Sequence, residues 1–266
     1  MDLGLKNKIA MVGGASKGLG YAVARALAAE GASVSMASRD HEAIRGAAGT
    51  IQRETGSRAV AVAADLVLVE DWSKAPVGTT GIPPGWKGQD WGSPSYDMTV
   101  VEDDGRRALR LRSKDDSSTI AKDIKGTINL KETPVLEWEW KSTVLPKGGN
   151  SCRKATDDQA GQIFVVWPRF PEALRSRIIG YVWDTTQPVG TICKSEKTGT
   201  VTYVVIRSGS ADVGKWFTEH RNVAEDFKKI YGDTPDNPAA VSLSIDSNDT
   251  HSSSEAFFGR IGFRRP

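Results

Sequence analysis

Tryptophan is distributed so unevenly along this chain that it forbids a single uniform fold. All 8 tryptophans (Trp72, Trp86, Trp91, Trp138, Trp140, Trp167, Trp183 and Trp216) follow residue 71, and the one aromatic residue before them is Tyr21. Alanine runs the other way, with 16 in residues 1–66 and 11 in the 200 that follow. Small side chains suit close packing of helices on a sheet, whereas broad aromatic ones suit the inner faces of stacked β-sheets. The chain therefore reads as two unlike pieces joined near residue 66: a piece over 1–66, an irregular Gly- and Pro-rich lead-in over 67–95, and a β-domain over 96–266.

The first piece reads as β-α-β-α-β. Ile9–Val12 is a short apolar strand, and Gly13–Gly20 a glycine-rich turn. A helix over Leu19–Glu30 follows, with Leu19, Ala22, Val23, Ala26 and Leu27 at helical spacing. Gly31 ends it, where a left-handed residue costs least. A strand over Ser33–Ala37, a helix over His41–Thr55 and a strand over Ala59–Ala64 complete the piece. Strands alternating with helices imply parallel pairing by right-handed crossovers.

The period then changes. Leu136, Trp138 and Trp140 alternate with Glu137, Glu139 and Lys141, the pattern of a half-buried strand. Many further short strands, separated by Gly, Pro, Asn and Asp, suggest an antiparallel β-sandwich or jelly roll. Within it, Trp216–Tyr231 is the one stretch that reads as a helix, because Phe217, Val223, Phe227 and Ile230 can share a face.

The run Gly13-Gly14-Ala15-Ser16-Lys17-Gly18-Leu19-Gly20 follows a strand and opens a helix, the context in which such a loop presents free backbone N–H groups to a pyrophosphate. These residues resemble the cofactor-binding start of the short-chain dehydrogenase/reductase family, with Gly13 in place of the usual Thr. The resemblance covers residues 5–66 and implies an NADP half-site. It assigns the pyrophosphate to Gly14, Ser16, Lys17, Gly18, Leu19 and Gly20, the ribose 2′-phosphate to Ser38 and Arg39 with Lys17, and the adenine to Asp65 and Leu66. There it stops. The family's chemistry needs a Tyr and a Lys four residues apart, the Lys lowering the phenol pKa. No Tyr-x-x-x-Lys occurs in the sequence. The first piece is thus an incomplete Rossmann half whose first strand, normally central, becomes an exposed edge open to oligomerisation.

Pro84-Gly85-Trp86, Trp138-Glu139-Trp140, Asp157-Asp158-Gln159-Ala160-Gly161-Gln162, Tyr181-Val182-Trp183, Arg221-Asn222-Val223 and Asp246-Ser247-Asn248-Asp249-Thr250 resemble the bacterial domain-of-unknown-function 3047 family over roughly residues 70–266. The resemblance implies a sandwich-like β-domain without an established activity, with relatives that are exported. Gln162 stands where the family often has Arg. Asp157, Asp158, Asp246, Asn248 and Asp249 are oxygen ligands of the kind Ca²⁺ takes if two loops converge, and ordinary turn residues if they do not. Trp86, Trp91 and Trp216, beside Gly, Pro or polar neighbours, are candidates for an exposed sugar-stacking platform, while Trp138 and Trp140 are assigned to the core. Arg221 and Asp226 are expected to brace the helix.

Composition narrows the function. Residues 1–66 carry 8 Lys and Arg against 6 Asp and Glu, and the remainder is balanced, so no basic footprint for nucleic acid is present. No apolar run approaches the ~20 residues of a membrane span. Nothing at the N-terminus reads as a secretory signal, so the chain as written is expected in the cytoplasm, with Cys152 and Cys193 as free thiols. The expected function is a non-catalytic β-sandwich that binds a glycan or another small envelope ligand. An NADP-dependent oxidoreductase and a glycan-active hydrolase are the alternatives.

Overall fold

The computed structural model describes residues 3–38, 40–63 and 66–266. The chain is mostly β and divides into two compact units, Met1–Leu66 and Val67–Pro266.

In the first unit, β1 (Ile9–Gly13), α1 (Gly18–Ala29), β2 (Ser33–Ser38), α2 (His41–Thr55) and β3 (Ala59–Ala63) follow in order. The three strands form a parallel sheet ordered β1-β2-β3. Asp40 caps α2 by accepting the Ala43 N–H at 3.0 Å, and Gly56 closes it in the left-handed region. The core is Ala15, Ala24, Ala28, Val34, Met36, Ile44, Ala47, Ala48 and Ile51. α1 therefore packs through Ala24 and Ala28 with Leu27 partly buried beside them, and the stripe read from the sequence is corrected at its other positions: Leu19 is 83% exposed, and Ala22, Val23 and Ala26 are exposed as well. Alanines let the helix approach the sheet closely, with Tyr21 and Leu27 flanking the contact and Leu19 and Val23 left outside it. The sheet face away from the helices is also open, with Ile9 81% and Met11 86% exposed.

The second unit begins with β4 (Val67–Glu70), β5 (Lys87–Gly88), β6 (Met98–Asp103), β7 (Arg106–Lys114), β8 (Ser117–Asp123) and β9 (Val135–Val144). Then come β10 (Gly161–Trp167), the short helix α3 (Glu172–Arg175), β11 (Arg177–Asp184), β12 (Ile192–Lys194) and β13 (Val201–Ser208). β14 (Phe217–Asn222), α4 (Val223–Tyr231), β15 (Ala240–Asp246) and β16 (Ser253–Arg264) complete it. One sheet has seven strands, β12-β13-β11-β10-β15-β8-β5. The other has six, β14-β9-β16-β7-β6 with β4 also paired to β16. A single buried cluster draws on both, including Leu136, Trp138, Trp140, Phe258 and Phe263 from one and Ile163, Val165, Tyr181, Trp183 and Leu243 from the other. Trp138 stacks on Tyr181 at 5.5 Å between ring centres.

Four expectations are corrected here. Residues 67–95 are not wholly irregular: β4 joins the six-stranded sheet, and Trp72 and Trp86 are core residues stacked at 5.5 Å. Trp216–Tyr231 is not one helix. Phe217–Asn222 pairs with β9, and α4 starts only where Asn222 accepts the Glu225 N–H. The pairing is not antiparallel throughout, since β11 and β13 run parallel. Cys152 and Cys193 are not free thiols but a disulfide with Cα atoms 5.7 Å apart. Pairing of β12 with β13 brings Cys193 beside the 150s loop, where the Lys154 N–H also donates to Glu196 at 2.8 Å.

α4 is braced as the sequence suggests. Arg221 grips Asp226 through Nη2 at 2.5 Å and Nε at 2.9 Å, and the buried Tyr181 hydroxyl donates to the same carboxylate at 2.8 Å.

Candidate functional site

The seven-stranded sheet alternates strictly along its central strands, and its second face is where polar chemistry collects. On β10, Ile163, Val165 and Trp167 enter the core, which turns Gln162, Phe164 and Val166 to the other side. On β15, Val241, Leu243 and Ile245 are core, so Ser242, Ser244 and Asp246 share that outer side. Cross-strand register sets Gln162 opposite Ser244 and Phe164 opposite Ser242. Thr119 of β8 faces Ser244, and their hydroxyls are 2.8 Å apart. On the other flank, a Cβ on Gly180 would lie 2.6 Å from the Phe164 ring, so glycine there lets that ring lie flat across β11 toward Tyr203.

This outer face floors a cavity of about 640 Å³. Phe164, Val166, Ile178, Val201 and Tyr203 make one side apolar, while Gln162, Ser242, Ser244, Thr119, Asp157 and Asp246 make the other polar. Trp91 lies at the cavity 60% exposed. Gln89 holds the Trp91 loop: its side chain donates to the Trp91 carbonyl at 2.9 Å and accepts the Thr119 N–H at 2.7 Å.

The two Asp-rich loops do converge beside this cavity. Asp246 Oδ1 accepts the Gln159 N–H at 2.7 Å and the Gln162 amide at 2.8 Å. Asp157 accepts the Gln159 amide at 2.9 Å and the Ser195 hydroxyl at 3.3 Å. Asp158 accepts the N–H groups of Asp249 and Thr250, and Asp249 pairs with Lys197. Asn248 lines the cavity. Among the described residues, no three His, Cys, Asp or Glu side chains are arranged to hold a metal ion. Burial pushes the Asp157 carboxyl up to about 6 against the opposing pull of Gln159, Lys197 and Ser195. Burial, with Asp158 and Asp157 nearby, also raises Asp246 well above the carboxylate range.

Of the three platform candidates, only Trp91 is exposed. Trp86 is corrected to a core residue whose Nε1–H donates to the buried Glu70 at 2.9 Å. Trp216 is half-buried, donating to Asp103 at 2.6 Å with Lys141 5.3 Å over its ring. An indole N–H needs a partner when buried, and here both partners are carboxylates of the six-stranded sheet. Gln89, Tyr203 and Ser242 were not singled out from the sequence. For Tyr203 and Ser242 the signal is the outward half of a strand's alternation, readable only once the core face is known, whereas Gln89 lies just past β5 and carries no such signal.

In the first unit the glycine loop joins β1 to α1. Gly14 and Gly18 have φ of +64° and +63°. A Cβ on Gly20 would lie 2.5 Å from the Gly14 carbonyl oxygen, so only glycine lets the helix close on the turn. Lys17 precedes α1 without a side-chain cap, and Leu19 is on the helix's outer side. Ser38 donates to Ser16 at 2.9 Å, joining the end of β2 to the loop, and Leu66 closes the unit. Arg39 and Asp65 lie outside the described residues.

The family model for proteins of unknown function, DUF3047, matches residues 84–262. The chain belongs to that family. A second model, short chain dehydrogenase, matches residues 8–77. Among solved structures, L-sorbose reductase from Gluconobacter frateurii, complexed with NADPH and L-sorbose, is 35% identical over 24% of this chain and 25% of its own, with a TM-score of 0.24. A metagenomic short-chain oxidoreductase in complex with NADP is 40% identical over 24% and 28%, at a TM-score of 0.23. A short-chain type dehydrogenase/reductase from Mycobacterium marinum is 38% identical over 23% and 24%, at 0.22. The chain thus spans about a quarter of the length of these dehydrogenases. No curated protein matches it. No helix among the described residues is long and apolar enough to cross a membrane.

Proposed function

We propose that the DUF3047 unit is a non-catalytic glycan-binding domain whose site is the cavity on the outer face of the seven-stranded sheet. The observation that carries this reading is the cavity's two-sided lining with Trp91 at its mouth. A sugar ring has apolar faces that stack on indole and equatorial hydroxyls that bond amides, hydroxyls and carboxylates. The two sheets are read as the layers of a sandwich of jelly-roll type, an interpretation supported by their shared core. A glycan array probed with the whole chain and with Trp91→Ala tests the site. Binding lost in Trp91→Ala but kept in Trp216→Ala supports it, and binding indifferent to both overturns it.

A glycan-active hydrolase on the same cavity is favoured by one observation, the Asp157 carboxyl raised to about 6, in the range of a general acid. Release of reducing ends from a bound oligosaccharide, abolished in Asp157→Asn, would replace the binding-only reading.

For the first unit we infer a cofactor half-site without reductase chemistry. Gly14, Ser16, Lys17, Gly18, Leu19 and Gly20 would hold a pyrophosphate, Ser38 and Arg39 a 2′-phosphate, and Asp65 and Leu66 an adenine. The open cradle at the start of α1 supports weak NADP binding. Hydride transfer is the chemistry the cofactor itself would supply. NADPH incubated with the chain and a panel of carbonyl compounds should not be consumed above the protein-free rate. Turnover would overturn the inference. The disulfide supports a working place in an oxidising compartment for the β unit, rather than the cytoplasm.

A further inference from the structure

We propose that the sugar bound in this cavity carries a free primary amine as its ammonium ion, that is, an amino sugar; the proposal rests on the cavity being a glycan site. Among the described lining residues, four carboxyl groups (Asp115, Asp116, Asp157 and Asp246) meet a single cation, Lys197. That ammonium is committed to Asp249. At the rim Asp115 pairs with His251 at 2.8 Å, and Asp116 accepts the Ser95 hydroxyl at 2.5 Å and its N–H at 3.0 Å. The deeper pair, Asp157 and Asp246, has only the field of the Lys197 ammonium and no cation of its own among the described residues. Asp158, Asp249, Lys197 and the Tyr203 phenol are the charged and titratable groups that face Asp157 and Asp246: Asp249 opposes the ionisation of Asp157 and Asp158 that of Asp246, Lys197 favours ionisation, and the phenol, kept neutral by burial and by the two carboxyls, adds no charge.

A second, independent feature points the same way. Gln162 is only 2% exposed and lines the cavity. Its amide nitrogen is spent on Asp246, and its Oε1 has no partner among the described residues. Asp246 uses Oδ1 twice, and its Oδ2 likewise has no partner there. Two acceptors of the polar half, Gln162 Oε1 and Asp246 Oδ2, are therefore unspent, beside the Ser242 hydroxyl and the Asn248 amide, which can donate or accept. A neutral sugar hydroxyl offers each of them one donor and no charge. An ammonium offers three N–H donors and the missing positive charge. Calcium would ask for six to eight oxygens, and here N–H donors already take Asp157 and Asp246 Oδ1.

Isothermal titration calorimetry on the whole chain tests this with glucosamine, N-acetylglucosamine and glucose oligomers of equal length at about pH 6.5, where amino-sugar amines are largely charged. The glucosamine oligomer is expected to bind at least about tenfold more tightly than the other two. Asp246→Asn and, separately, Asp157→Asn are expected to shrink that preference severalfold, with tryptophan fluorescence reporting that each variant stays folded. Lowering the pH through about 6 protonates Asp157 and should also shrink it. Equal binding of all three oligomers overturns the amine inference and leaves the glycan reading standing. Heat from calcium chloride alone, with none from any oligomer, overturns both, and so does no heat at all.

Discussion

Replacing Glu70 with alanine should destabilise the β unit by about 3–5 kcal/mol, because its carboxylate holds four donors where β4 enters the core. Oε1 accepts the N–H groups of Asp71 at 3.0 Å and Trp72 at 2.9 Å. Oε2 accepts Trp86 Nε1–H at 2.9 Å and Lys122 Nζ at 2.5 Å. Trp72 and Trp86 are 1% and 6% exposed, so truncation strands two buried donors at about 1–3 kcal/mol each. Lys122 keeps access to water and adds less. Burial pushes the Glu70 carboxyl up, but Lys122, Trp86 and Trp72 outweigh it and the net shift is downward. A depressed acid stabilises the fold above its unfolded pKa and loses that contribution as pH falls through its folded pKa. The deficit of Glu70→Ala should therefore be full at neutral pH and shrink on acidification below the carboxylate range. Urea unfolding followed by tryptophan fluorescence reads this unit alone, since every tryptophan lies after residue 71. With a urea slope of about 2 kcal/mol/M, the midpoint should drop by roughly 1.5–2.5 M. A loss under about 1 kcal/mol, or a deficit that does not fall with pH, would refute the reasoning.

Opening the disulfide with Cys152→Ser should cost about 4 kcal/mol in the chain-entropy account for a separation of 41 residues, seen as a lower urea midpoint than that of the oxidised protein. Asp157→Asn should raise stability at neutral pH, by up to about 3 kcal/mol, because a carboxyl raised to about 6 favours the folded state only while protonated. The sign is testable, since that gain should vanish at about pH 4, where the wild-type carboxyl is itself protonated in the folded state. Ile9→Lys with Met11→Lys should reduce self-association in light scattering, because both side chains now sit exposed on a sheet-edge strand.

Much of the architecture is legible in the residues because its determinants are local. The glycine loop, the caps at Asp40 and Gly56 and the alternation of Leu136, Trp138 and Trp140 each act within a few positions. What the local pattern does not reveal depends on partners distant in sequence. Trp86 resembles a loop residue until Glu70 and Trp72 are placed around it, and Cys152 meets Cys193 only through the pairing of β12 with β13. Of the stripe expected on α1 only Leu27 reaches the core, because a helix packed through alanines buries its smallest side chains, and apolar spacing alone does not reveal that. Of the candidate site, the Asp-rich loops and Trp91 were visible as residue types. Gln162, Ser242 and Tyr203 join them only through the register of β10, β15, β11 and β13.

If the cavity is a sugar site with Trp91 at its mouth, the tryptophan indole N–H resonances report it directly. In a titration of the ¹⁵N-labelled chain with oligosaccharides, including glucosamine oligomers, the Trp91 indole signal should move in a saturable way. The signals of the buried Trp138 and Trp140 should stay in place. A Trp91 resonance that no oligosaccharide shifts at about 10 mM, beyond the weak end of the affinity scale, would contradict it.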